Sequence, residues 1–333
     1  MNRFWRRCAD AISLHASLGI LATVLALPSL ALAQDYPTKP VKIIVPSAAG
    51  GGTDTYARLM AAQLGESFKQ QFVVDNHPGA SGIVGADIAA HAAPDGYTLL
   101  ISANPALVVN PSLFKKLPYD AERDFTPIAR GVISPLVFVV HGSVPARTMA
   151  ELVALGKTDP GKLTYGSAGS GSTTSLGVRM LEEATGAKFQ HIAYKGLGQA
   201  YQDLVAGNIS FMLSDYIVVL SHIRAGKVFA LASTDRSSLL PNVPTLGEVG
   251  FPELMGVHAS FTVAGPAGIP SAIVRRLNAE VNRIMKVPAV QARLESHAMI
   301  PNFETPEEFA ATLKRERAMW GTVIRRVGIA ADQ

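Results

Sequence analysis

A mostly apolar, β-branched run, Val41–Val45, feeds directly into Pro46-Ser47-Ala48-Ala49-Gly50-Gly51-Gly52-Thr53-Asp54. Larger side chains then recur at helical spacing (Tyr56, Leu59, Met60, Gln63, Leu64). A strand, a glycine turn and a helix N-terminus in that order leave several backbone N–H groups unpaired and pointing the same way, which suits an anion. The same succession returns about 120 residues later. The strand pattern Leu163–Gly166 runs into Ser167-Ala168-Gly169-Ser170-Gly171-Ser172-Thr173-Thr174, and Leu176, Met180, Leu181 and Ala184 follow at helical spacing up to Gly186. Neither copy is a sequence repeat of the other. They read as equivalent pieces of two similar α/β lobes. One small-residue turn is weak evidence of a site, and two at matching places are stronger.

The intervening pattern agrees. Strands are expected at Phe72–Asp75 and Tyr97–Ile101, with a helix near Ile83–His91 between them, and the alternation argues for a parallel sheet. After Ser102-Ala103-Asn104-Pro105 the pattern is irregular until Ile128–Val132, and Leu136–Val140 is a further β-prone run. Thr148 and Glu151 fit a capping box for a helix to Leu155. Strands are read at Phe189–Ala193, at Ile209–Leu213 (ending at Ser214-Asp215) and at Val228–Ala232, with a helix around Gln199–Ala206. Thr245 and Glu248 match a second capping box within the loop Pro241–Gly250. Ser260–Val263 is a late β run. Two helices finish the chain, Ser271–Lys286 and Pro306–Val327, the second capped by Thr305 and Glu308. Leu136–Val140 and Ser260–Val263 bracket a self-contained middle block and read as crossings between lobes. That sets lobe 1 at residues 34–138 and 262–333 and lobe 2 at 139–261, able to close on a ligand at their interface.

The first residues read differently. Arg3, Arg6 and Arg7 precede the mostly apolar Leu18–Leu27 and the small residues Ala31-Leu32-Ala33, the pattern of a signal peptide at residues 1–33 cut after Ala33. Cys8, the single cysteine, falls in that segment, so no disulfide, thiol chemistry or thiolate metal site is expected in the mature chain. Removing its three Arg and one Asp from 30 basic and 26 acidic residues leaves 27 and 25, a net +2. No concentrated basic stripe of the kind that marks a nucleic-acid binder is present. A soluble protein exported to the periplasm is expected.

Enzyme motifs fail on inspection. Gly156-Lys157-Thr158 has Glu151 where a P-loop needs its first glycine. Gly166–Ser172 contains no G-x-S-x-G, and Thr55 stands where a dinucleotide fingerprint needs its third glycine. No histidine pair has metal-ligand spacing. His191, inside an apolar strand, is read as a hydrogen-bonded strand histidine before a catalyst. Asp215 at a strand end suits a ligand contact or a local cap equally. Lys195 fits a carboxylate partner or a solvated loop lysine, and Asp54 is first a helix-start residue.

Further stretches carry a resemblance over essentially the whole mature chain. They are Val45-Pro46 with Gly50-Gly51 and Thr53-Asp54, Asn76-His77-Pro78-Gly79-Ala80, and Pro94-Asp95-Gly96-Tyr97-Thr98-Leu99-Leu100. Pro160-Gly161-Lys162-Leu163, Tyr194-Lys195-Gly196 with Asp203-Leu204 and Gly207, and Pro241-Asn242-Val243-Pro244-Thr245 follow in order. Together they resemble the solute-binding proteins of tripartite tricarboxylate transporters, the TctC or Bug family. The resemblance implies an α/β, two-lobed, Venus-flytrap periplasmic binding protein, type II-like with a double-strand hinge. It implies no enzyme activity, no cofactor and no metal. The expected partners are a small organic acid and membrane transporter subunits, with no nucleic acid, and a monomer is expected. Carried onto matching positions, the first cradle is Ser47, Ala48, Gly50, Gly51, Thr53 and Asp54, faced by Gly169, Ser170, Gly171, Ser172 and Thr173, with Ser102, Asn104 and Asp215 nearby. Ser47 and Ala49 replace an aromatic residue and a proline common in the family, and Ser175 replaces a frequent histidine, so the pocket is expected to be roomier and differently polar. The alternatives are a sensory protein presenting the acid to a signalling partner and a secreted cleft enzyme.

Overall fold

The computed structural model describes residues 36–328, so the signal peptide read at residues 1–33 lies outside the described residues. Strand β1 (Val41–Val45) pairs in parallel with β2 (Phe72–Asn76) and β3 (Thr98–Ser102). Helices α1 (Gly52–Phe68) and α2 (Ile83–Ala90) make the connections. Every apolar residue of β1 is buried, as a parallel strand covered on both faces requires. α1 buries Tyr56, Ala57, Met60, Ala61 and Leu64, a stripe at helical period.

The stretch after Asn104, irregular in sequence pattern, winds into a π-helical turn at Pro105–Val109 and a short helix, α3 (Asn110–Leu113). The two β runs expected at Ile128–Val132 and Leu136–Val140 are parts of one 17-residue strand, β4 (Phe125–His141). Its register shifts between Pro127 and Ala129 and again before Val132, and Gly131 takes φ +73°. Bulges of this kind bend and twist a strand without ending it.

After β4 the chain continues with α4 (Met149–Thr158), β5 (Thr164–Ser167), α5 (Thr173–Thr185), β6 (Gln190–Ala193), α6 (Leu197–Ala206) and β7 (Phe211–Asp215). β5 pairs in parallel with β6 and β7. The chain then turns straight into α7 (Tyr216–Arg224), a helix the sequence pattern did not announce, before β8 (Val228–Ser233).

β9 (His258–Pro266) returns antiparallel between β3 and the first part of β4, while β4 from Leu136 onward pairs with β7 and β8. The strand order β2-β1-β3-β9-β4-β7-β5-β6 therefore places parallel strands at each end and the antiparallel crossing strands between. The parallel pairing expected from the strand–helix alternation forms at both ends of the sheet, and the two long strands between them, β4 and β9, pair antiparallel.

Three helices, not two, finish the described chain: α8 (Ser271–Ile284), α9 (Pro288–Glu295) and α10 (Pro306–Val327), with the two-residue strand β10 (Ile300–Pro301) before the last. α8 and α10 pack on β4. α10 also reaches α5, where Arg326 pairs with Glu183 at 3.3 Å. Both halves of the capping box form at Thr148/Glu151 and at Thr305/Glu308. Thr245 and Glu248 make the same reciprocal bonds (2.8 and 3.3 Å) around a turn, because Gly247, Gly250 and Pro252 follow too closely for a helix to propagate. No helix among the described residues is long and apolar enough to cross a membrane.

Candidate ligand-binding cleft

The two glycine- and serine-rich turns face one cavity of about 1030 Å³, at the upper end of the range for small-molecule sites. From the first lobe come the turn before α1, the loop Gly79–Ile83, and the segment Leu113–Lys116 closing α3. The second lobe adds the turn before α5, the segment Ala193–Leu197 and Asp215. Leu136, Ala259 and Phe261 of the crossing strands also line it.

The first turn is built to present backbone. Gly51 is the N-cap of α1 in extended conformation (φ −90°, ψ 176°), with no side-chain cap. The first-turn N–H groups have no intrahelical acceptor. Of the residues read as the first cradle, Ser47, Ala48, Gly51 and Thr53 line the cavity; Gly50 and Asp54 do not. Asp54 folds inward, accepting from the Gly50 N–H (3.1 Å), Asn76 Nδ2 (3.0 Å) and Arg58 Nε (3.0 Å). Burial would raise its pKa, but the Arg58, Gly50 and Asn76 hydrogen bonds outweigh it and hold the carboxyl below its ordinary value. Asp54 thus braces the turn from behind, and it consumes the Gly50 N–H in doing so.

In the second turn Gly169, Ser170, Ser172 and Thr173 line the cavity, and Gly171 does not. Ser172 caps α5 by accepting the Ser175 N–H (3.2 Å) and donates to the Gly169 carbonyl (2.7 Å). Gly171 packs against the first lobe, its N–H donating to Ser81 Oγ at 3.1 Å. Ser102 and Asn104 also lie off the cavity wall. The Ser102 carbonyl accepts the Thr262 hydroxyl (3.3 Å) and Asn104 Oδ1 accepts the Ser260 N–H, so both tie the end of β3 to β9. His191 sits 2.6 Å from Ser167 Oγ with its ring stacked on Tyr165.

Sequence reasoning missed the loop Gly79–Gly82. All four of its residues have positive φ (141°, 46°, 53° and 86°), unusual for Ala80 and Ser81. The stretch His77–Gly82 read only as a turn into the next helix, and Asn76–Ala80 only as part of the resemblance. It also missed Lys115 and Lys116, which follow no motif. With Lys195 and Asp215 these two lysines are the charged side chains lining the cavity, and none of the three lysines has a carboxylate partner within 4.0 Å among the described residues. Lys195 also offers its carbonyl across the cleft to the Ala48 N–H (3.2 Å).

Asp215 ends β7 at the N-cap position of α7 and makes no cap hydrogen bond there. It is 3% exposed. Burial pushes its carboxyl up to about 6, against the pull of its own N–H and that of Gly52.

Residues 56–329 match the model of the tripartite tricarboxylate transporter family receptor. The chain belongs to this family. The receptor is 35% identical over 318 residues to Protein BugT of Bordetella pertussis, a match covering 95% of this chain and 97% of that one. A Rhodopseudomonas palustris protein solved with adipate superposes with a TM-score of 0.85 at 31% identity, covering 89% of this chain and 99% of its own. MatC of the same organism, solved with bound malate, gives 0.82 at 31% identity, covering 87% and 100%. The receptor is a periplasmic solute-binding protein with the two-lobed α/β fold.

Proposed function

We propose that this receptor captures a small organic acid in the interlobe cavity and delivers it to the membrane subunits of a tripartite tricarboxylate-type transporter. One observation carries the reading: two helix N-termini open onto a cavity whose charged wall holds one buried acid and three lysines with no carboxylate partner among the described residues. A helix N-terminus favours an anion by roughly 0.3–1 kcal/mol when exposed and more when partly buried. Water exclusion strengthens both contacts. The adipate and malate held by the two relatives support a carboxylate ligand.

In this reading Ser47, Ala48, Gly51 and Thr53 hold the acid from one lobe, and Gly169, Ser170, Ser172 and Thr173 from the other. Lys115, Lys116 and Lys195 draw it in. β4 changes partner from β9 at Pro135 to β7 at Leu136, which supports a crossing between the lobes near there and near His258, a few residues before the bounds read from the sequence at 138/139 and 261/262. The receptor acts in the periplasm as a monomer.

A thermal-shift and calorimetric panel of dicarboxylates, hydroxy acids, amino acids and aromatic acids tests this. One carboxylate class is expected to stabilise the receptor in proportion to RT ln(1 + [L]/Kd), about 2.7 kcal/mol at 100 Kd. The corresponding amides are expected to leave it unmoved. Stabilisation by amides and acids alike, or turnover of the bound acid, would overturn the proposal.

A further inference from the structure

The carboxylate of Asp215 meets the N-terminus of α1 from the opposite lobe. A Cβ built on Gly52 would lie 2.2 Å from Asp215 Oδ2, and the Gly52 N–H is one of the two backbone donors that its carboxylate feels. Asp215 therefore already occupies part of the anion cradle with a negative group of its own. Its other oxygen, Oδ1, is buried and has no hydrogen-bond partner among the described residues, and the residue lines the cavity. None of the groups acting on its carboxyl is a charged side chain.

An acid held at the Gly51–Thr53 turn must place its carboxylate beside this second carboxylate. Two like charges in a water-poor site repel strongly, and a buried acceptor without a donor is costly. One feature of the ligand acts on both problems: a group on the carbon next to its carboxylate that donates to the Asp215 carboxylate, an ammonium cancelling the repulsion and a hydroxyl offsetting part of it. Such a bond to an ionised acceptor is about twice as strong as a neutral one. A site with a waiting buried acceptor also rejects analogues that lack the donor.

We propose that Asp215 makes this receptor select acids bearing a hydrogen-bond donor beside the carboxylate, the 2-hydroxy or 2-amino acids, over their unsubstituted counterparts. The proposal rests on the carboxylate reading above and names its ligand class. It assigns to Asp215 a specificity role, while the turn before α1 supplies the anion affinity.

Matched pairs test it by calorimetry on the full mature receptor: L-malate against succinate, 2-hydroxyglutarate against glutarate, and L-aspartate against succinate. The parent is expected to bind the donor-bearing member of at least one pair tenfold or more tightly. In Asp215→Asn, which keeps the side chain's shape, that ratio is expected to fall to within about threefold. Affinity for the unsubstituted acid should hold or rise as the like charge disappears. A purely structural role for Asp215 would lower both affinities together. Equal binding within every pair by the parent, or an unchanged ratio in Asp215→Asn, would overturn the specificity role while leaving the carboxylate reading intact. Failure of the parent to bind any acid of the panel would overturn both.

Discussion

Gly51→Asp is expected to abolish acid binding while leaving the fold at least as stable as the parent. A Cβ at Gly51 meets nothing within 4 Å, and its φ of −90° suits any residue, so the substitution introduces charge without a clash. Gly51 is the N-cap of α1 and has no side-chain cap bond. Aspartate is among the best residues there, worth a few tenths of a kcal/mol over glycine. The same carboxylate stands where the ligand's would be. At an effective dielectric near 20, two unit charges about 4 Å apart repel by about 4 kcal/mol, which corresponds to a loss of roughly 1000-fold in affinity. Thermal melting and calorimetry on one preparation separate the two effects. Retained affinity in a folded variant would mean that the acid sits elsewhere.

Gly131→Ala carries the largest expected stability effect. Gly131 lies in the bulged part of β4 at φ +73°, and a Cβ there would come within 2.3 Å of the Phe261 carbonyl oxygen and 2.5 Å of Tyr56 Oη. One of these neighbours is backbone of β9, the other a fully buried side chain. Left-handed strain of about 1–3 kcal/mol adds to an overpacking cost of about 1–3 kcal/mol, for a total of roughly 2–6 kcal/mol. Chemical denaturation is expected to show the midpoint falling with little change in slope. A loss under about 1 kcal/mol would mean that the two crossing strands yield easily at this point.

The parts of the molecule governed by local rules were legible in the sequence. The strand–glycine–helix successions at Val41–Phe68 and Thr164–Thr185 follow from burial pattern and turn chemistry, and the Thr148 and Thr305 caps from side-chain hydrogen bonding. The bounds of β4 depend instead on partners distant in sequence: β9 on one stretch and β7 and β8 on the other. α7 opens with Tyr216-Ile217-Val218-Val219-Leu220, and a short run that is apolar throughout has no period to separate a buried helix from a strand.

The candidate cavity wall was legible in its two small-residue turns. Gly50, Asp54, Ser102, Asn104 and Gly171 sit one or two residues from lining positions, and only the folded geometry shows that they brace the walls. Lys115 and Lys116 enter because α3 ends beside the cleft, which no local signal encodes.

The most direct test of the clamp is a crystal structure of the parent receptor with the tightest-binding acid of the panel. The acid's carboxylate is expected within hydrogen-bond distance of the N–H groups of the Gly51–Thr53 turn, with the second-lobe turn at Gly169–Thr173 closing on the same molecule. A carboxylate held at Lys115 and Lys116 alone, with both turns untouched, would contradict the account.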